Sequence, residues 1–103
     1  MQPNYANTVI YIIRAKNKNN KNVYIGHTTD FVGRKAKHKY RCNHLSYLGS
    51  RYPLYEYIRQ HGGWDKFQME ILEHYPCNTR KEAMERENYY YNLLQAKLNG
   101  DEP

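Results

Sequence analysis

Apolar positions along the chain fall into three short runs and one long stripe, separated by strongly polar stretches. Residues 8–14 (TVIYIIR) are rich in β-branched and aromatic side chains and predict a strand, and 23–26 (VYIG) predict a second. The tract between them, KNKNNKN, reads as a solvated turn. If the hairpin loop holds an even number of residues, Tyr11 and Tyr24 fall on one sheet face, about 5–8 Å apart directly or diagonally. An odd loop or a bulge separates them.

Asp30 is placed to N-cap a helix over residues 31–40, where Gly33 costs about 1 kcal/mol relative to Ala. Residues 41–52 (RCNHLSYLGSRY) read as a loop. Pro53 opens a short helix, PLYEYIRQH, at the N1 position that proline tolerates, and Gly62-Gly63 stops it. Between Lys66 and Tyr75, Phe67, Met69 and Ile71 alternate with Gln68 and Glu70, the pattern of a half-buried third strand. Thr79 and Glu82 form a capping box for a long helix reaching about Leu98. The order β-β-α-α-β-α predicts an α+β fold: a small three-stranded antiparallel sheet packed with about three helices. With no repeat or linker, residues 1–103 read as one domain with a core over about 8–100.

Charge narrows the class of partner. Sixteen Lys and Arg against ten Asp and Glu give a formal charge of +6 and a pI near 9.3, which favours a polyanion, nucleic acid before membrane. Twelve tyrosines against two Phe and one Trp suit such a surface, because the ring packs while the hydroxyl reaches phosphate or water. No apolar run approaches the roughly 20 residues that span a bilayer, and MQPNYANT lacks a signal-peptide apolar segment. Cys42 and Cys77 show no C-x-x-C spacing and read as reduced thiols. An intracellular protein, cytoplasmic or nuclear, is expected.

Three features resist a purely structural account. The stripe of the last helix runs Ala83/Met84, Glu87, Tyr90/Tyr91, Leu94, Leu98, so a carboxylate lies on a core-facing row. That costs several kcal/mol unless the group is paired, hydrogen-bonded or metal-bound, and a salt bridge to an Arg at the core edge is the competing explanation. Arg34 and His38, four apart, share a helix face, although in isolation a solvated basic face in RKAKHK is the better account of them. His27 follows the second strand, while His44, His61 and His74 follow no metal-ligand pattern. Together with the paired tyrosines, this inventory suits phosphodiester hydrolysis. The Arg neutralises the transition state, the carboxylate holds a divalent cation, and a Tyr or His handles the proton of the attacking water. One carboxylate points to one metal.

These residues also bear a family likeness. The chain resembles the GIY-YIG nucleases, with Val9-Ile10-Tyr11 as the first half-motif (Val in place of the usual Gly) and Tyr24-Ile25-Gly26 as the second. Arg34 stands ten residues after Tyr24, His38 four further on, Glu87 within Glu85-Arg86-Glu87-Asn88, and Asn99 twelve beyond it, all at the family's spacing. The likeness covers roughly residues 8–100, and the last helix looks most like the phage and homing-endonuclease branch, so a phage or large DNA virus is a fitting source. It implies a three-stranded sheet with helices and a DNA endonuclease using one Mg²⁺ or Mn²⁺ per site and no small-molecule cofactor. A single site further implies a monomer or a dimer formed transiently on DNA.

The resemblance also assigns roles. Tyr24 is implied as general base or water-positioning group, with Tyr11 beside it. His27 stands where some relatives have Lys, and assists or lines the site. Arg34 is implied at the scissile phosphate and His38 as proton relay or leaving-group stabiliser. Glu87 is implied as the metal ligand, and Arg34, Lys35, Lys37 and Asn99 as nucleic-acid or phosphate contacts. Homing-type relatives carry a separate DNA-binding region, so the expected forms are a catalytic domain cut from a longer protein or a compact stand-alone nuclease. A non-catalytic nucleic-acid-binding module that keeps the fold is the alternative, for which the basic tracts KNKNNKNV and GRKAKHKY suffice.

Overall fold

The structure, a computed structural model, describes residues 4–44 and 52–99. A three-stranded antiparallel sheet is built from β1 (Val9–Ala15), β2 (Val23–Thr28) and β3 (Phe67–His74), with β1 in the middle. Helices α1 (Phe31–Asn43), α2 (Pro53–Gln60) and α3 (Arg80–Leu94) pack against it. The expected order of elements is therefore present.

The central strand explains its own sequence. Residues 9–13, VIYII, are all buried, because the strand has neighbours on both sides and helices over both faces. Tyr11 and Ile13 join Phe67 and Met69 beneath Leu54, Tyr55 and Ile58 of α2 and Cys42 of α1. On the opposite face Ile10, Ile12 and Ile25 meet Tyr90 and Tyr91 of α3. The hairpin register pairs Tyr11 with Gly26 and Ile13 with Tyr24. Tyr11 and Tyr24 are therefore diagonal neighbours on one face, the even-loop case, with ring centroids 6.2 Å apart.

Local chemistry sets the helix ends. The Asp30 carboxylate accepts from the Gly33 N–H at 3.0 Å, and the Thr79 hydroxyl accepts from the Glu82 N–H at 3.2 Å. Proline occupies the first turn of α2, and Gly62 and Gly63, at φ 105° and 90°, turn the chain away after it.

Five expectations need correction. First, α1 continues through Arg41–Cys42–Asn43, expected as loop, because Cys42 lies one turn beyond His38 and extends the same buried face. The remainder of that expected loop, 45–51, lies outside the described residues. Second, α3 stops at Leu94 rather than near Leu98, since Gln95 adopts the left-handed conformation (φ 51°, ψ 62°). Leu94 is consequently exposed, while Leu98 enters the core from a separate 3-10 turn, Lys97–Asn99. Third, β2 runs on to Thr28 and includes His27.

The alternation in β3 holds in register to Ile71, but its burial ends at Met69 and the pattern breaks after Ile71. Tyr11 pairs with Ile71 but Ile10 pairs with Glu73, so Leu72 is an extra residue in a β-bulge. Ile71 keeps the sheet face of Phe67 and Met69 but is 38% exposed, and the bulge after it turns Glu73 towards α3, where Arg86 grips it at 2.5 and 3.0 Å. Finally, KNKNNKN is more than a solvated connection. Asn17 and Asn20 close local side-chain turns, and the Tyr57 hydroxyl donates to Asn20 Oδ1 at 3.1 Å while accepting from Asn22 Nδ2 at 3.2 Å.

Both cysteines are free, Cys42 buried and Cys77 partly so. Among the described residues no helix is long and apolar enough to cross a membrane.

Gly26 is where β2 lies directly against the Tyr11 ring, since a Cβ there would lie 2.5 Å from both Cζ and Oη of Tyr11. The Tyr11 ring is enclosed and has nowhere to retreat. Gly26→Ala is expected to cost about 1–3 kcal/mol. The melting midpoint followed by circular dichroism should fall by about 4–8 °C per kcal/mol.

Candidate active site

The candidate residues gather around β2, the edge strand nearest α3, with some on each face of the sheet. On the face covered by α1 and α2, Tyr11 is 1% exposed and its hydroxyl lies 2.8 Å from His38 Nε2. His38 Nδ1 lies 2.7 Å from the hydroxyl of Tyr55 on α2. A buried imidazole thus bridges two tyrosine hydroxyls, with the Tyr24 ring edge-on to it and Trp64 stacked above. Tyr24 is only partly buried and forms the outward end of this group.

Tyr55 escaped the sequence reading. Within PLYEYIRQH it is one of two tyrosines, and only the rotation of α2 in the fold shows that Tyr55 faces His38 while Tyr57 faces the hairpin loop.

On the other face, His27 Nδ1 is 2.8 Å from Glu87 Oε1. The carboxylate of Glu87 is buried and has this histidine as its hydrogen-bonding neighbour, rather than the arginine at the core edge that a purely structural account favours. The other local arginine, Arg86, is taken by Glu73 and lies over the rings of Tyr75, Tyr89 and Tyr90. Arg34 lies on the half-buried face of α1, and among the described residues its guanidinium makes no hydrogen bond or ion pair.

Electrostatics tie the two faces together. Burial pushes the Tyr11 hydroxyl well above its ordinary pKa. Burial followed by the Glu87 carboxylate raises Tyr24 to about 12, while hydrogen bonding with Tyr11 and the Arg34 guanidinium pull the other way. Both tyrosines therefore sense Arg34 and Glu87, and the four side chains share one field. Burial, reinforced by Arg34, Arg41 and Lys37, lowers His38 to about 3, so its ring is neutral. A neutral imidazole donates through one nitrogen and accepts through the other, so Tyr11 and Tyr55 take opposite roles.

Two expected roles change. His38 has both nitrogens engaged and is 3% exposed, so it cannot reach a leaving group; of its two expected roles only the relay through Tyr11 is compatible with this geometry. Asn99 is not free for phosphate: its Oδ1 accepts from Ile25 N–H and its Nδ2 donates to Ile25 C=O, each at 2.9 Å. It holds the edge strand instead. Lys35 and Lys37 are exposed on α1, open to a phosphate. His44 and His61 hydrogen-bond to the carbonyls of Tyr40 and Tyr57 on their own helices, and His74 is exposed.

The donor set limits any ion. Among the described residues no three His, Cys, Asp or Glu side chains come together as a cage. Glu87 alone offers one carboxylate, its Oε1 already oriented by His27. That set fits a hard cation that keeps most of its water, Mg²⁺ or Mn²⁺, and does not fit tetrahedral zinc.

A family model described as the GIY-YIG catalytic domain matches residues 7–99. The chain belongs to that family. The solved catalytic domain of homing endonuclease I-TevI matches this GIY-YIG domain with a TM-score of 0.64 at 29% identity, over 89% of this chain and 92% of that one. No curated protein matches. The endonuclease affiliation and the α+β fold read from the sequence therefore both stand.

The buried histidine gives this GIY-YIG domain an acid-sensitive core. His38 takes up a proton near pH 6.5 when unfolded but only near pH 3 when folded. The stability it contributes is complete above pH 6.5 and is lost as pH falls towards 3. Urea denaturation at steps from pH 7.5 to 4.5 should show the wild type weakening steadily below pH 6.5. His38→Gln, less stable at the outset, should give a flatter profile across the same range.

Proposed function

We propose that the domain is a divalent-metal-dependent DNA endonuclease that hydrolyses phosphodiester bonds at a one-metal site with Tyr24 as general base. The observation that carries this reading is Glu87, the one buried carboxylate among the described residues, acting on the same tyrosine pair, Tyr11 and Tyr24, that the Arg34 guanidinium acts on. Glu87 would hold the cation, oriented by His27, and a bound Mg²⁺ or Mn²⁺ would supply positive charge against the scissile phosphate.

The chain's own residues do the rest. Arg34 is the cation that meets the non-bridging phosphate oxygens and offsets the charge that grows on them. Water attacks phosphorus, its proton passes to the Tyr24 phenolate, and the bond to the leaving ester oxygen breaks, that oxygen taking a proton from solvent. The hydrogen bonds are compatible with one polarity, in which Tyr55 O–H donates to His38 Nδ1 and Nε2–H donates to Tyr11, whose own proton is then not used by His38. Tyr11, with its ring centroid 6.2 Å from that of Tyr24, is the neighbour to which such a proton belongs. Tyr24 is preferred to Tyr11 because Tyr11 is enclosed under Gly26 and bonded to His38. With one such site, each encounter cuts one strand, by a monomer or within a dimer formed transiently on DNA.

Supercoiled plasmid tests the proposal directly. Wild-type protein should nick it with Mg²⁺ and leave it intact with EDTA, and Glu87→Ala should lose activity by about 10³-fold or more. Equal nicking by the variant would sink the one-metal site. DNA that is shifted in a gel by both proteins and cut by neither would instead favour a binding module.

A base whose pKa is pushed to about 12 is mostly protonated at neutral pH. The single-turnover rate should therefore climb close to tenfold per pH unit between about pH 6 and 9. Tyr24→Phe should lose both the rate and that slope, whereas a flat wild-type profile would remove Tyr24 from the base role.

A further inference from the structure

Beside the site, the loop 16–22 presents Lys16, Lys18 and Lys21 on a scaffold held by its own asparagines. The Tyr57 hydroxyl bonds both Asn20 and Asn22, fixing the loop to α2 across 37 and 35 residues of sequence. The lysines lie with Arg14 along an open groove of about 430 Å³. Arg14 is already paired with Glu70 at 2.7 Å, which leaves the three lysines as the unbalanced charge.

Lys16 also lines an adjoining hollow of about 230 Å³ with Lys35 and Trp64, where Asp65 is the one acid. Lys35 is the immediate neighbour of Arg34 on α1. A cationic path therefore leads from Arg34 through Lys35 and Lys16 to Lys18 and Lys21. The groove lining includes no aromatic ring on which a base could stack.

We infer that this groove is a second DNA-contact surface, which takes the phosphate backbone of duplex DNA flanking the bond to be cut, without reading its bases. The inference deepens the nuclease reading and rests on it for the choice of DNA as the polyanion. Ammonium groups on a pinned loop lose less conformational freedom on binding than groups on a mobile tail. Each lysine that meets a phosphate displaces condensed counterions, so its contribution appears in the salt dependence.

The test measures binding in EDTA and cutting in Mg²⁺ separately, on a 30-base-pair duplex of arbitrary sequence. Removing two contacts in Lys18→Gln/Lys21→Gln should lower the slope of log affinity against log salt by about 2. A control of equal charge, Arg80→Gln/Lys81→Gln at the start of α3, should leave that slope unchanged. Tyr57→Phe keeps every charge but frees the loop, and should weaken binding at an unchanged slope. Equal losses in the two double variants would show a general charge effect and overturn the surface, as would an unaltered slope in Lys18→Gln/Lys21→Gln. If the wild type binds as expected but never nicks, the nuclease reading falls while the surface stands. If it nicks and the slope does not move, the surface falls alone.

Discussion

A hydroxyl buried in the middle of the sheet is the constraint that organises this domain. Tyr11 occupies the centre of the central strand, where an unpartnered O–H would cost about 1–3 kcal/mol. His38 supplies the partner, but a buried imidazole has a second nitrogen that needs one too, and Tyr55 provides it. The three residues belong to β1, α1 and α2, so satisfying one hydroxyl fixes the rotation of two helices over the sheet. Gly26 completes the arrangement by leaving room for the tyrosine ring. The packing of the sheet and the candidate site thus depend on the same few atoms.

Around that neutral core the charges are sorted by position. Arg34 stands at the sheet face that carries the tyrosines, and Glu87 comes from the opposite side of the edge strand with its own histidine. Arg34 and Glu87 are not paired with each other, and Glu87 has His27 as its neighbour instead.

Much of this was legible where the cause is local. Capping by Asp30 and Thr79, the proline start of α2 and the glycine stop after it are decided within a few residues, and the sequence announces them. The tyrosine diagonal depends only on loop parity. The misses have long-range causes. Nothing in Gln95 advertises a left-handed residue, because Gly or Asn is the usual occupant. The β3 bulge arises from pairing with β1 and has no glycine to mark it. Tyr55 and Tyr57 are indistinguishable until α2 is rotated into place. Its spacing singles out Asn99, yet its amide bonds the backbone of Ile25 through both Oδ1 and Nδ2. Spacing shows that a residue matters without showing what it touches.

The Asn99 contact has a consequence for how the molecule comes into being. Its amide closes on Ile25 across 74 residues, and Ala96 and Leu98 beside it enter the cores on opposite faces of the sheet. A ribosome-bound chain therefore has its hairpin tyrosines and Arg34 long before it has Glu87 or the clasp on the edge strand. Until the clasp arrives, β2 presents backbone groups to any neighbouring chain and is a point of misassociation during synthesis. The last described turn thus acts as a latch: the order of translation keeps the candidate site incomplete until almost the whole fold is available to hold it.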